Sequence, residues 1–236
     1  MKLGIFTDSH YSSADVTCGR RLNSRSLVKI KEACARFAAE GCDLILCLGD
    51  LTDTEESFEK ECENLAACGE AMNAAGEIPV LCVMGNHDAF VFTPQDFYCI
   101  LGEHRRPPRV LPMGDVTLLF IDACHFSDGR HYMPGDSDWE DTFYPYTDAL
   151  AADLAAVRGD AYLILHQSLD AEISEDHRLS NDAEIRAILE ESGVVRGVIQ
   201  GHYHPGAQHT AGGIDYLTLR ALCENDTDDA IRILQL

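Results

Sequence analysis

Basic residues are scarce in this chain of 236: 18 Lys and Arg stand against 40 Asp and Glu, a formal charge of -22. A nonspecific hold on a nucleic-acid backbone depends on neutralising phosphates with Lys and Arg, so nucleic acid is disfavoured as a partner. Long apolar runs are missing too. No stretch approaches the ~18 residues of a membrane-spanning helix, and the opening MKLGIFTDSH has a single Lys and an apolar run, shorter than a secretion signal, that stops at Asp8. The expected location is cytoplasmic, with no membrane partner. No two of the 10 cysteines have C-x-x-C spacing, which removes the usual signature of a thiolate zinc site. Cys34, Cys42, Cys47, Cys62, Cys68, Cys82 and Cys99 mostly sit in apolar helical or strand patterns and are expected as reduced thiols. Internal repeats, low-complexity tracts and a Pro/Gly/Ser linker are also absent, so one domain over residues 1–236 is expected. The length and a hydrophobic content of 46% suffice for a substantial core.

What is present is a series of apolar runs of strand length that end in polar turns: KLGIFTDSH, CDLILCLGD, IPVLCVMGNHD, VTLLFIDACH, AYLILHQS and VVRGVIQGHYH. Continuous apolar runs fit strands buried on both faces. Helical patterns lie between them. SRSLVKIKEACARFAAE puts Leu27, Ile30, Cys34 and Phe37 at helical spacing and has Gly41 as a stop; EESFEKECENLAACGEAMNAAG and NDAEIRAILEESG read likewise. RVLPMGDVTLLFIDA reads as a hairpin about Met113, Gly114 and Asp115, and the residues from about Tyr216 onward as two further strands. The pattern predicts a layered α/β fold with mixed sheets. Residues 123–147 form the one long irregular segment, expected to be lid-like or a substrate wall.

The turns after these strands carry Asp8 and His10, then Asp50 and Asp53, then Asn86 and His87, then His166, then His202 and His204. The carboxyl edge of an α/β sheet is where ligands bind, so folding would gather residues that are distant in sequence. In an extended segment positions i and i+2 face one side, which would aim Asp8 with His10, and His202 with His204, at a common point. Singly, each motif has an ordinary reading: a surface turn for D-x-H or H-x-H, a helix N-cap for Asp50, a hydrogen-bonded core residue for His166. Five such strand ends in order point instead to one site. Mixed carboxylate and imidazole suits Mn, Fe, Zn, Ni or Co.

The ordered set DSH, GDLTD, GNHD, the His of LHQS, and GHYH resembles the calcineurin-like metallophosphoesterase superfamily, whose blocks are D-x-H, G-D-x-x-D, G-N-H-D/E, H and G-H-x-H. The blocks span residues 8–204, and the overall size, short N-terminal lead and locally elaborated middle are similar to those of the small cyclic-nucleotide phosphodiesterase and nucleotide-pyrophosphatase branches. The resemblance implies a four-layer α/β/β/α sandwich with two mixed sheets flanked by helices, and a dinuclear metal centre. Asp8, His10 and His204 would hold one ion, Asn86, His166 and His202 the other, with Asp50 between them. His87 would face the substrate phosphoryl group without binding metal, and Asp88 would hydrogen-bond its imidazole. GDLTDTEE lacks the Arg that protein phosphatases of the superfamily carry after this block, which speaks against that role.

A phosphoester is an anion meeting an acidic protein, so local cations matter. Arg20, Arg21 and Arg25 in CGRRLNSR are candidate substrate contacts, and His125 is another; a solvated surface is the competing reading for the arginines. Trp139, Phe143, Tyr144 and Tyr146 could stack on a nucleobase or simply pack a loop. His131, His177 and His209 receive no role. The expected function is metal-dependent hydrolysis of a small phosphodiester or nucleotide-type substrate. The alternatives are a nuclease, a phosphomonoesterase and, in another class, a metal-holding scaffold, against which His87 and Asp88 argue.

Overall fold

The computed structural model describes residues 1–53, 55, 57–136, 143–145 and 147–236. In chain order the strands are β1 (Lys2–Phe6), β2 (Leu44–Cys47), β3 (Val80–Cys82), β4 (Val110–Met113), β5 (Val116–Phe120), β6 (Asp160–Ile164), β7 (Val195–Gln200), β8 (Ala207–Ala211), β9 (Ile214–Thr218) and β10 (Arg232–Gln235). The helices are α1 (Ser26–Ala39), α2 (Phe58–Met72), α3 (Asn86–Val91), α4 (Pro94–Leu101), α5 (Leu150–Ala156), α6 (Asp182–Ser192) and α7 (Thr227–Ala230). One sheet has the order β10-β1-β2-β3 and the other β4-β5-β6-β7-β9-β8. The inner strands of both run parallel, while β10, β4 and β8 add antiparallel edges.

Alternation along the strands builds the layers. Leu3, Ile5, Leu44, Leu46 and Leu48 from the first sheet meet Leu118, Phe120, Ile164 and Ile199 from the second in one buried cluster. Residues of opposite parity, including Phe6, Ile45, Cys47, Leu119, Leu163 and Val198, pack with apolar residues of the helices. α1 lies against β1 and α2, and α6 against β7 and α5, which completes the α/β/β/α sandwich with its mixed sheets. Each fully buried Leu, Ile or Phe contributes roughly 1.5–3 kcal/mol of transfer free energy. All ten cysteines are free thiols, and most are buried.

The first helix stops as its sequence predicts: Gly41 follows the C-cap at φ 68°, a conformation that costs other residues a Cβ clash. The hairpin also forms, with Met113 opposite Val116 and the turn at Gly114 and Asp115. The two strands read in the C-terminal residues are β9 and β10. β9 begins at Ile214, before Tyr216, and ends at Thr218; α7 and an irregular stretch separate it from β10. β8 had no signal because it is an edge strand whose residues are nearly all exposed. Within the segment 123–147, Cys124, Tyr132 and Phe143 are buried and Tyr132 rests on Phe126 and Phe143, so these parts are anchored in the core. Trp139 and Tyr146 lie outside the described residues. Among the described residues no helix is long and apolar enough to cross a membrane.

A buried acid in α2 gives the stability a pH dependence. Glu61 is 2% exposed, its carboxylate accepts from the Glu55 N–H at 2.5 Å, and burial pushes its pKa up to about 7. The folded state therefore holds this proton more tightly than the unfolded chain. The resulting stabilisation is full below the ordinary carboxylate pKa and is lost as pH rises toward 7. Glu61→Gln is expected to flatten this part of the profile and raise the melting temperature at pH 8 relative to wild type; an unchanged pH profile of unfolding would refute the assignment.

Candidate metal centre

The carboxyl ends of β1, β2, β3, β6 and β7 bring Asp8, His10, Asp50, Asn86, His166, His202 and His204 into one cluster. Asp50 is its middle. Its Oδ2 lies 3.5 Å from His10 Nε2 and 3.2 Å from His166 Nε2, and its Oδ1 accepts from the His87 N–H at 2.9 Å. On one side His10 Nε2 and His204 Nε2 stand 3.2 Å apart, with Asp8 Oδ1 3.7 and 3.4 Å from them. On the other, His166 Nε2 is 3.2 Å from Asn86 Oδ1, and a ligand atom of His202 falls within 4.8 Å of those of Asp50 and His166.

Local backbone conformation aims these groups. Asp8, His10, Asp50 and His202 have φ of 52°, 43°, 53° and 67°, in the left-handed region. The i, i+2 argument for D-x-H and H-x-H is therefore corrected. β1 ends at Phe6 and β7 at Gln200, and the ligand pairs converge through left-handed turns beyond them. Gly85, the N-cap of α3, allows the closest approach: a Cβ there would lie 2.0 Å from Asp50 Oδ1.

The residues fit a cation on an observation of their own. Asp8 Oδ1 is buried and has no hydrogen-bond partner, a costly state unless something positive sits beside it. Two of the imidazoles, His166 and His204, are held from behind: His166 Nδ1 donates to the Leu48 carbonyl at 2.7 Å and His204 Nδ1 to Glu224 Oε1 at 2.5 Å, so that Nε2 is the nitrogen directed inward. Burial lowers His10 to about 4 and, helped by His166, His202 to about 3, so both are neutral, the form that binds metal. Burial opposes charge on His166 as well, but the Asp50 carboxylate outweighs it and raises the group to about 9. A cation bound at that nitrogen would release the proton.

Two expected contacts are corrected. Asp88 does not touch the His87 ring: its carboxylate is fully buried and accepts from the N–H groups of Asp50 at 2.8 Å and of Leu51 and Gly85 at 3.0 Å, bracing the turn that carries Asp50. The carboxylate beside His87 is Asp53, with Oδ1 3.4 Å from Nδ1. His125 is the second case. It lines a separate cavity of about 330 Å³ with Tyr98, Phe120 and Asp122, and its Nδ1 is 3.1 Å from the Asp122 carbonyl oxygen. The cleft over the cluster, about 440 Å³, is lined instead by Arg20, Arg21, Asp50, His87, Asp176, His177, Tyr203 and neighbouring ligand residues. Arg21 also contacts Asp53 at 3.4 Å, and Arg20 Nε donates to Glu224 at 2.9 Å. Arg25 lines a different surface groove, beside Lys29 and Asp226. Of the aromatic candidates, Phe143 is buried and the Tyr144 hydroxyl donates to Glu184.

A family model described as calcineurin-like phosphoesterase matches residues 1–206. The chain belongs to that family. This calcineurin-like phosphoesterase is thus a hydrolase of phosphoesters, and its family implies a dinuclear metal centre where the cluster lies. No curated protein sequence matches it. Among solved structures it is similar to a dimetal phosphatase from Danio rerio, at 16% identity and a TM-score of 0.80, over 100% of this chain and 92% of that one. It is also similar to TT1561 of Thermus thermophilus, at 12% identity and a TM-score of 0.62, over 99% and 98% of the two chains. A third is GAP50, the anchor in the inner membrane complex of Plasmodium, at 11% identity and a TM-score of 0.63, over 99% of this phosphoesterase and 80% of that chain. At such identities the likeness is one of fold.

Sequence reasoning missed Glu224, the partner role of Asp53 and the His177 wall of the cleft. Asp53 was visible as the last residue of GDLTD. Glu224 had no signal, since it follows an apolar run that reads as strand.

Proposed function

We propose that this phosphoesterase is a dinuclear metal-dependent hydrolase of small phosphodiesters or nucleotide-type phosphoesters, working as one catalytic domain over residues 1–236. The observation that carries this reading is the Asp50 carboxylate, with Oδ2 between His10 Nε2 and His166 Nε2. Asp8, His10, Asp50 and His204 would hold one ion, and Asp50, Asn86, His166 and His202 the other. Bound there, the pair supplies Lewis acidity and an activated water at neutral pH. Carboxylate, amide oxygen and imidazole donors suit Mn, Fe, Zn, Ni or Co. The Asn86 carbonyl oxygen adds a ligand without adding negative charge that would repel phosphate.

Around those ions the chain's own side chains do the rest. Arg20 and Arg21 line the cleft together with the carboxylates of Asp50 and Asp176, and they offer the local attraction an anion needs. His87 lines the cleft with its Nδ1 beside Asp53, and its imidazole would donate to a phosphoryl oxygen or leaving group. A cleft of about 440 Å³ accommodates a small ligand.

The test is turnover of bis-p-nitrophenyl phosphate, p-nitrophenyl phosphate and a thymidine p-nitrophenyl ester by protein stripped and reloaded with Mn, Ni, Co, Zn or Mg. Diester cleavage with a transition metal is expected. Exclusive cleavage of the monoester would replace the diesterase reading with a phosphatase one, and inactivity with every metal would overturn catalysis.

A further inference from the structure

Beyond residue 206, where the family match ends, the chain returns to pack against the turns that carry Asp8 and His204. Ala221 N–H donates to the carbonyl of His204, Leu222 N–H to that of Thr7 and Cys223 N–H to that of Asp8, each at 3.0 Å. The buried Lys29 ammonium of α1 clamps the same stretch, donating to the carbonyls of Leu222 at 2.8 Å and Asn225 at 2.7 Å. Glu224 is thereby delivered to the back of His204, where Oε1 accepts from Nδ1 at 2.5 Å and from Arg20 Nε at 2.9 Å.

We propose that Glu224 is a positioning residue for one half of the metal centre: held by the Ala221–Asn225 strap, it fixes the tautomer and orientation of His204. The proposal rests on the reading that Asp8, His10 and His204 hold a cation. An ionised carboxylate only accepts, so the His204 proton resides on Nδ1 and the lone pair on Nε2, which points at His10 Nε2 and Asp8 Oδ1. A carboxylate partner also raises the basicity of a ligating imidazole, more than a carbonyl does. The two halves are unequal in this respect, because His166 on the other side is oriented by the Leu48 carbonyl. Arg20, read from sequence as a substrate contact, has a second task in steadying Glu224.

The experiment is titration of metal-free wild type, Glu224→Ala and Glu224→Gln with Mn(II), and in parallel Zn(II), by calorimetry and elemental analysis, with melting of the metal-free proteins alongside. Wild type is expected to bind two ions. Glu224→Ala should weaken one of them by about 10–100-fold and leave the other unchanged. Glu224→Gln, whose amide oxygen still accepts from Nδ1, should recover most of that loss. Two ions bound by Glu224→Ala with wild-type affinity overturn the proposal alone, as does parallel loss of both ions with a lowered melting temperature, which marks a merely structural residue. A wild-type protein that takes up neither metal overturns the ligand reading, and the proposal with it.

Discussion

Asp50→Asn is expected to reduce metal content from two ions per chain to one or none and to lower turnover by about a thousandfold or more, the rate equivalent of the several kcal/mol that metal-borne charge stabilisation supplies. The reason is the division of labour between the two carboxylate oxygens. Oδ1 is taken by the His87 N–H at 2.9 Å, which fixes the side chain so that Oδ2 falls between His10 and His166. An asparagine keeps the Oδ1 acceptor, so the turn and α3 should survive, but it places an N–H₂ where Oδ2 stood. That group cannot ligate, and it adds no charge to offset two cations. Elemental analysis after gel filtration, with melting as a control for folding, checks this. A fully loaded and fully active Asp50→Asn would show that the carboxylate is not shared.

The residues that meet in the centre were legible because parallel strands end on a common edge. Once LILCLGD, VLCVMGNHD and YLILH read as strands, their last polar residues had to converge. The manner of convergence was not legible. A mild enrichment of His at positive φ is too weak to predict left-handed backbone at His10 and His202, which adopt it together with the tertiary hydrogen bonds His10 N–H to Asp50 O and His202 N–H to Asp8 Oδ2. Pairings across long sequence separation were equally hidden. The resemblance pairs Asp88 with its neighbour His87, whereas α3 turns successive side chains in different directions. Asp53 reaches His87 from the β2 side, and Glu224 reaches His204 from a stretch that its apolar lead, YLTLRALC, disguised as strand.

These corrected pairings set the second large effect. His87→Ala is expected to lower kcat by about 10²–10⁴-fold, the span of a positioned general acid, while retaining both ions. Its ring packs edge-on to His10 at 4.6 Å between centroids and its Nδ1 faces Asp53, so removing it leaves Asp8, His10, Asp50 and His204 in place. The two neighbouring aspartates then separate by phenotype. Asp53→Asn removes the charge behind the imidazole and should reduce kcat in part, with metal retained. In Asp88→Asn the new N–H₂ would confront the N–H groups of Asp50, Leu51 and Gly85 that the carboxylate now accepts, so that variant should melt earlier and lose metal. If Asp88→Asn kept its metal and stability and lost only kcat, Asp88 would be the partner of His87 after all. Loss of metal from His87→Ala would make His87 a ligand.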